Sequence, residues 1–347
     1  MAGLREGRDG RDGHRGRSQM TGTRSQGAGS RSAAVRPAAV AGMFYPAARS
    51  ELQDLVDRLF AAAARLPDVR ADTTAARGLP TGILVPHAGL VYSGVVAAAG
   101  WSRLRPGRVR TSARGGGDGD LNPAGSAEPP LTIVLLGTNH RAGWLGGAAA
   151  WDAGAWSTPV GDVGVDASLA AAIVNLGPPF LADRRAHGGE HSIEVQLPLL
   201  LAVDPFARVV PLSVSAGSGA RAITGGAHLG ELLAARRAAG ARIVLVISTD
   251  MAHYPAAGAC GRATGVLLPP ILALDPAGLA AREDGLRDAG IPGLACGMCG
   301  IDPAVLGLAA LHAMGATRGT ILAAATSADA GGSPDRTVGY LAARFDA

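Results

Sequence analysis

RIVLVISTDMAH, residues 242–253, decides the fold: a run of apolar residues, Arg242–Ile247, stops abruptly at a polar cluster, Ser248–His253, that carries Asp250 and His253. A continuous apolar run of this length suits a strand buried on both faces, and such strands belong to parallel sheets covered by helices. The same pattern recurs on either side. Gly82–Val85 leads into Pro86-His87-Ala88-Gly89, Leu131–Leu136 into Gly137-Thr138-Asn139-His140, and Thr320–Ala324 into Ser327 and Asp329, while Val209–Val214 is a further strand. Helical patterns intervene at Ser50–Ala64, Asp166–Leu176, Ile193–Ala202, Ala220–Ala239, Leu267–Ala273 and Pro303–Met314. Strands alternating with helices predict a three-layer α/β/α domain around a mixed, mostly parallel sheet. Thr337–Phe345 reads as a final antiparallel or edge strand.

Composition bounds the rest. With 48% hydrophobic residues in 347 the chain can build a sizeable core, so folding needs no covalent staple. Cys260, Cys296 and Cys299 are too few and too uneven for a disulfide framework, and a reducing cytoplasm is the expected setting. The net charge of +4 is concentrated in one place: residues 1–36 hold eight arginines against Glu6, Asp9 and Asp12, which leaves the remainder near −1. A nucleic-acid binder would carry its basic residues on a folded face, so that function is disfavoured. No apolar run approaches the ~18 residues of a membrane span, and the N-terminus lacks the apolar stretch of a secretion signal, so neither membrane insertion nor export is expected. Residues 1–34, a Gly/Arg/Ser mixture without periodicity, are expected to be a disordered tail. Residues 35–347 are expected to form one domain, interrupted by a disordered low-complexity insertion at 105–130.

In open α/β sheets ligands bind beyond the carboxyl ends of the strands, so the polar clusters should meet there. A single histidine after a strand is ordinarily a turn residue with a satisfied hydrogen bond. Three in equivalent positions, His87, His140 and His253, favour metal ligation or proton transfer instead. Cys296 and Cys299 stand three apart ahead of a helix, where the dipole favours a thiolate; no second such pair exists to complete a structural zinc site. In EHSIEVQLP, residues 190–198, Glu190 and His191 are suited to line a cleft or to hold a ligand histidine by hydrogen bonds. Glu194 reads equally well as a carboxylate in a first helical turn.

Taken in order, VRPAAVAGMFYP (35–46), PHAGLVYSG (86–94), GTNHR (137–141), WSTPVG (156–161), EHSIEVQLP (190–198), STDMAHY (248–254), CGIDP (299–303) and TVGY (337–340) resemble the Memo family, called AmmeMemoRadiSam system protein B in bacteria and archaea. Any one of these motifs is weak, whereas eight in order are highly specific. The resemblance implies a fold similar to the class III extradiol dioxygenases, which hold a non-haem iron at the end of a central sheet. It implies metal ligation by His87, His140 and Cys299, with the thiolate where the dioxygenases use a carboxylate. It also implies Asp250 and His253 beside the metal, His253 as acid/base. Two positions depart from the family pattern: Thr138 stands where proline is usual, and Ile301 where arginine follows Cys-Gly. Cys296-Gly297 is a competing Cys-Gly pair, but only Cys299 keeps the spacing to Pro303.

Two imidazoles and a thiolate leave open coordination positions, as a catalytic metal requires. The expected function is therefore a metal-dependent oxidoreductase, dioxygenase-like, acting on an unidentified small molecule, with His253, Asp250, Glu190 and His191 as its catalytic residues. Fe2+ is the expected metal, with copper or zinc as alternatives; zinc would favour activated water over redox work. The competing expectation is a non-catalytic metal- or peptide-binding module of a protein complex. The family's name further implies radical S-adenosylmethionine and AMMECR-type partner proteins.

Overall fold

The computed structural model describes residues 34–71, 78–105 and 129–347, and its described residues fall within one unit, Ala33–Ala347. The expectations for the N-terminal tail and for the insertion lie outside the described residues. Strands β1 (Val35–Arg36), β2 (Gly82–Val85), β3 (Thr132–Thr138), β4 (Ala148–Ala150), β5 (Ala155–Thr158), β6 (Gly161–Val165), β7 (Phe180–Ala182), β8 (Arg208–Val214), β9 (Ile243–Ser248), β10 (Arg318–Thr326) and β11 (Gly339–Asp346) form one sheet. Its order is β1-β5-β6-β8-β3-β9-β2-β11-β10, with β4 and β7 branching from β8. The centre, from β6 to β2, is parallel; β11 is antiparallel to both its neighbours. The chain is thus α/β with a mixed, mostly parallel sheet. The last strand is antiparallel as expected but interior, and the edge falls to β10 because β11 inserts between it and β2.

The helices are α1 (Arg49–Ala63), α2 (Pro67–Ala71), α3 (Leu90–Trp101), α4 (Ala167–Val174), α5 (Leu197–Val203), α6 (Ala220–Ala238), α7 (Ala257–Leu272), α8 (Pro276–Asp288) and α9 (Ile301–Ala313). Successive strand side chains point to opposite faces, and here both faces are covered. Leu245 and Ile247 of β9 join Leu136 and Leu212 in a core roofed by α4 and α6–α9. Val244 and Val246 join Ile133 and Leu135 in a second core under α1, α3 and α5. Each such side chain contributes about 1.5–3 kcal/mol by leaving water, so a charge placed at Val246 would break one layer.

Helix α3 escaped the sequence reading because LVYSGVVAAAGW is apolar or small all round, leaving no polar face to set a period. Helix α7 starts ten residues before the expected Leu267, and Pro269 and Pro270 lie inside its last turns. Helix α8 carries a start signal that could have been read: Asp275 accepts the Gly278 amide hydrogen, and Pro276 follows at the first helical position. Among the described residues no helix is long and apolar enough to cross a membrane.

Candidate metal centre

Parallel register brings the polar clusters to one level. Val85 of β2 and Gly137 of β3 both pair with Ser248 of β9. His87, Asp250 and His140 each follow two residues beyond a strand end, at the same edge of the sheet. Over this edge lies the segment 190–193, pressed so close to β3 that a Cβ at Gly137 would stand 2.4 Å from Ile193 and 2.6 Å from the Ser192 hydroxyl. Gly137 thereby lets Glu190 and His191 approach His140.

His87 is the hub. It is 1% exposed, its Nε2 lies 3.4 Å from the Cys299 sulfur, and its ring meets those of His140 and His191 edge-on at 5.3 Å. The ligating atoms of His87, His140 and His191 lie within 4.8 Å of one another, and so do those of His87, Asp250 and Cys299. Both groups could hold a metal ion. His87 belongs to each, whereas His140 and Cys299 fall in different groups, so the expected set of His87, His140 and Cys299 is spread over two clusters with His87 in common.

Hydrogen-bond accounting assigns the tautomer of His87. The Trp101 indole can only donate, so it identifies the Gln196 oxygen, 2.8 Å away. The Gln196 nitrogen then donates to the Pro86 carbonyl and to the Ser248 hydroxyl. Ser248 gives its own hydrogen to the Ser192 carbonyl at 2.6 Å. Its oxygen can therefore only accept from His87 Nδ1 at 3.2 Å, and the Nε2 lone pair faces the cleft free of a proton. None of Gln196, Ser248 and Ser192 was singled out from sequence, although all three lie inside quoted motifs.

His140 follows the same logic. Its Nδ1 donates to Glu190 at 3.0 Å, and the same carboxylate accepts the backbone N–H groups of His140, His191 and Ser192. Glu190 is fully buried; burial resists its ionisation, but the hydrogen bonds from His140 and the backbone hold its pKa below the usual carboxylate range. An ionised Glu190 can only accept, so Nδ1 of His140 is the donor and Nε2 is the nitrogen left for the cleft. His191 stacks on His140 at 4.6 Å with Phe44 behind it at 4.4 Å. Its Nδ1 is buried and makes no hydrogen bond, although Glu190 Oε1 is 3.3 Å away. Burial pushes the pKa of His191 down to about 4 and that of His87 well below normal, with the neighbouring imidazoles adding to the burial effect at His87.

Asp250 is 3% exposed and accepts the amide hydrogens of His87 and Ala88, which pins the loop after β2. Burial raises its pKa, while the nearby His253 opposes the rise. Its amide donates to the Cys299 sulfur at 3.3 Å, and burial followed by the Asp250 charge raises the thiol's pKa well above normal. His253 stands beside these groups, outside both clusters; its Nδ1 donates to the Met251 carbonyl at 2.7 Å, leaving Nε2 as its free nitrogen. Cys296 is half-buried, and burial pushes its thiol up to about 11.

The remaining polar candidates serve the scaffold. Asp329 caps the short turn after β10 through Thr326, and the Ser327 hydroxyl accepts the Val338 amide hydrogen. Glu194, four residues beyond Glu190, is fully buried and turned away from the donors. It accepts from the Arg36 guanidinium, the Tyr45 hydroxyl and the amides of Ala39 and Val40. Arg36 stacks over Trp156 at 4.0 Å and donates to the carbonyls of His187 and Glu190, tying the first motif of the chain to the loop under His140.

The chain is similar to known proteins over almost all of this structure. A family model described as Memo-like protein matches residues 36–113 and 123–344. A MEMO1 family protein of Methanopyrus kandleri is 33% identical over 314 residues, covering 89% of this chain and 98% of its own. One of Aquifex aeolicus is 31% identical over 317 residues, covering 90% and 99%. An uncharacterised Escherichia coli protein of known crystal structure, 21% identical with a TM-score of 0.34 over 62% of this chain and 86% of its own, is too distant to bear on fold or function. With a family model spanning both halves of the sheet and relatives matched nearly end to end, the chain belongs to the Memo family.

Proposed function

We propose that this protein is a metal-dependent, dioxygenase-like oxidoreductase acting on a small molecule, with iron or copper held at His87, His140 and Cys299. The observation that carries this reading is that Nδ1 of both His87 and His140 is engaged by a neighbouring oxygen, so that in the neutral rings Nε2 carries the lone pair a metal ligand requires. A cleft whose candidate donors are imidazoles, a thiol and a single carboxylate suits a redox-active transition metal better than a hard oxygen-seeking cation. When bound, such an ion supplies one-electron chemistry and activation of dioxygen or of a chelating substrate. The chain's own groups do the rest. Glu190 and Ser248 orient the two imidazoles, Asp250 fixes the loop that carries His87, and His191 lines the cleft. His253 moves a proton through Nε2, since its Nδ1 is engaged by the Met251 carbonyl.

The protein is placed by this reading in the cytoplasm, working with radical S-adenosylmethionine and AMMECR-type partners. Anaerobically purified protein should hold about one iron or copper ion per chain, and His87→Ala should lose it. Normal metal content in that variant would remove the proposal. A second reading, a non-catalytic binding module, is favoured by the exposed Met43 beside Phe44 and by exposed Val91 and Tyr92 at the start of α3. It requires that His253→Ala complement a deletion strain; failure to complement excludes it.

A further inference from the structure

We propose that a second cleft, between the loop after β3 and the start of α6, binds a small aromatic carboxylate, with the Trp144 indole taking its ring and the Arg221 guanidinium its charge. The cleft has a volume of about 390 Å³, enough for a small molecule, and none of His87, His140, His191, Asp250 and Cys299 lines it. The inference is therefore independent of the metal reading above.

Three observations carry it. First, the apolar wall of this cleft faces water: Trp144 is 62% exposed and Leu181 37%, beside a buried Phe180. An uncovered indole offers a flat ring a stacking partner as well as apolar area. Second, the wall is fixed in advance. Pro179 is packed so closely against Gly147 and Gly225 that a Cβ on either glycine would overlap it, and its carbonyl accepts the Ala148 amide hydrogen. A preformed surface binds at a lower ordering cost. Third, charge accounting leaves one cation over. Asp183 is taken by Arg185, whose Nε and terminal nitrogen donate to its two oxygens at 2.9 and 2.8 Å. Arg221, in the first turn of α6, lines the same cleft and meets no carboxylate among the described residues. A guanidinium receives a carboxylate through two parallel hydrogen bonds, whereas the Asp183 charge on the same wall disfavours a polyanion. The ligand that fits has a flat apolar body and a single negative group.

The test titrates the full-length chain calorimetrically with 3-phenylpropanoate and with its uncharged isostere, 3-phenylpropanamide. The carboxylate should bind saturably and the amide ~10-fold more weakly, and Arg221→Gln should remove that preference. Trp144→Ala should weaken both probes by ~10-fold or more. Both substituted side chains are exposed, so the variants should melt like the unaltered chain. Fluorescence gives a second readout on the unaltered protein: of the four tryptophans only Trp144 is exposed, the others being at most 8% exposed, so the carboxylate should shield the fraction of the emission that acrylamide quenches. The proposal is overturned if no saturable binding occurs, if acid and amide bind alike, or if either variant binds as the unaltered chain does. Loss of binding in His87→Ala with retention in Trp144→Ala would also overturn it, by putting the anion in the histidine cleft.

Discussion

Replacing Glu194 by glutamine tests how the first motif of the chain supports the centre. Arg36 is 1% exposed and Glu194 fully buried, so the guanidinium has no route to water once its partner is neutral. Glu194 also accepts the Tyr45 hydroxyl and the amides of Ala39 and Val40, and an amide cannot accept on both ends. Burial and the hydrogen bond to Glu194 both raise the pKa of Tyr45, which stays a neutral donor throughout. Breaking a buried pair while leaving one charge in place costs about 3–5 kcal/mol. That is a large share of the roughly 5–15 kcal/mol that holds a typical domain together.

Urea denaturation followed by circular dichroism should therefore show a large drop in midpoint for Glu194→Gln. Arg36→Met combined with Glu194→Gln should recover most of the loss, because the stranded cation is gone. A single-variant cost below ~1 kcal/mol, the value of an exposed pair, would refute the reasoning. So would a double variant as unstable as the sum of its parts.

Packing of α6 on α9 predicts opposite outcomes for two glycines. A Cβ at Gly226 would meet the Leu306 carbonyl oxygen at 2.2 Å, so Gly226→Ala should destabilise by about 1–3 kcal/mol, whereas Gly261 on α7 has nothing within 4 Å and Gly261→Ala should stabilise by up to ~1 kcal/mol; equal effects in thermal melts would contradict the packing. His187 is fully buried, and its pKa is pushed down to about 4 mainly by that burial and further by Arg36, against a hydrogen bond from its Nε2 to the Ala149 carbonyl. The unfolded chain takes up a proton below the ordinary histidine pKa of 6.5 and the folded chain does not, so stability falls as pH drops from 6.5 to about 4, by up to ~3 kcal/mol at the acid end. His187→Leu should flatten that part of the pH profile of the urea midpoint, and an unchanged slope would contradict the assignment. Gln196→Leu removes the group that fixes the Ser248 hydrogen, and metal affinity should fall about 10- to 100-fold with the fold retained; unchanged affinity would show that the tautomer of His87 is set in another way.

The strands were legible because burial on both faces leaves unbroken apolar runs, and Gly82–Val85 is bounded as read. The parallel arrangement was legible too, since strands alternate with helices. Strands β4–β7 were not, being three to five residues long with small or polar residues among them. That His87, His140, Asp250 and Cys299 gather at one end of the sheet follows from strand-end placement. Which of them face one another depends on register and on Gly137, and neither leaves a local signal.

The two carboxylates of EHSIEVQLP show where spacing misleads. Four residues apart on a helix, Glu190 and Glu194 would share a face and serve one site. The chain is not helical there: the 3-10 turn begins only at Glu194, and α5 follows at Leu197. Without a helical turn between them the side chains diverge, Glu190 to His140 and Glu194 to Arg36. His191 shares in this, because the irregular backbone between the two carboxylates lets its ring stack on His140. A helix running unbroken through 190–194 would align both carboxylates on one side. The centre and its scaffold would then compete for them, so the irregular segment is what allows one short motif to serve both.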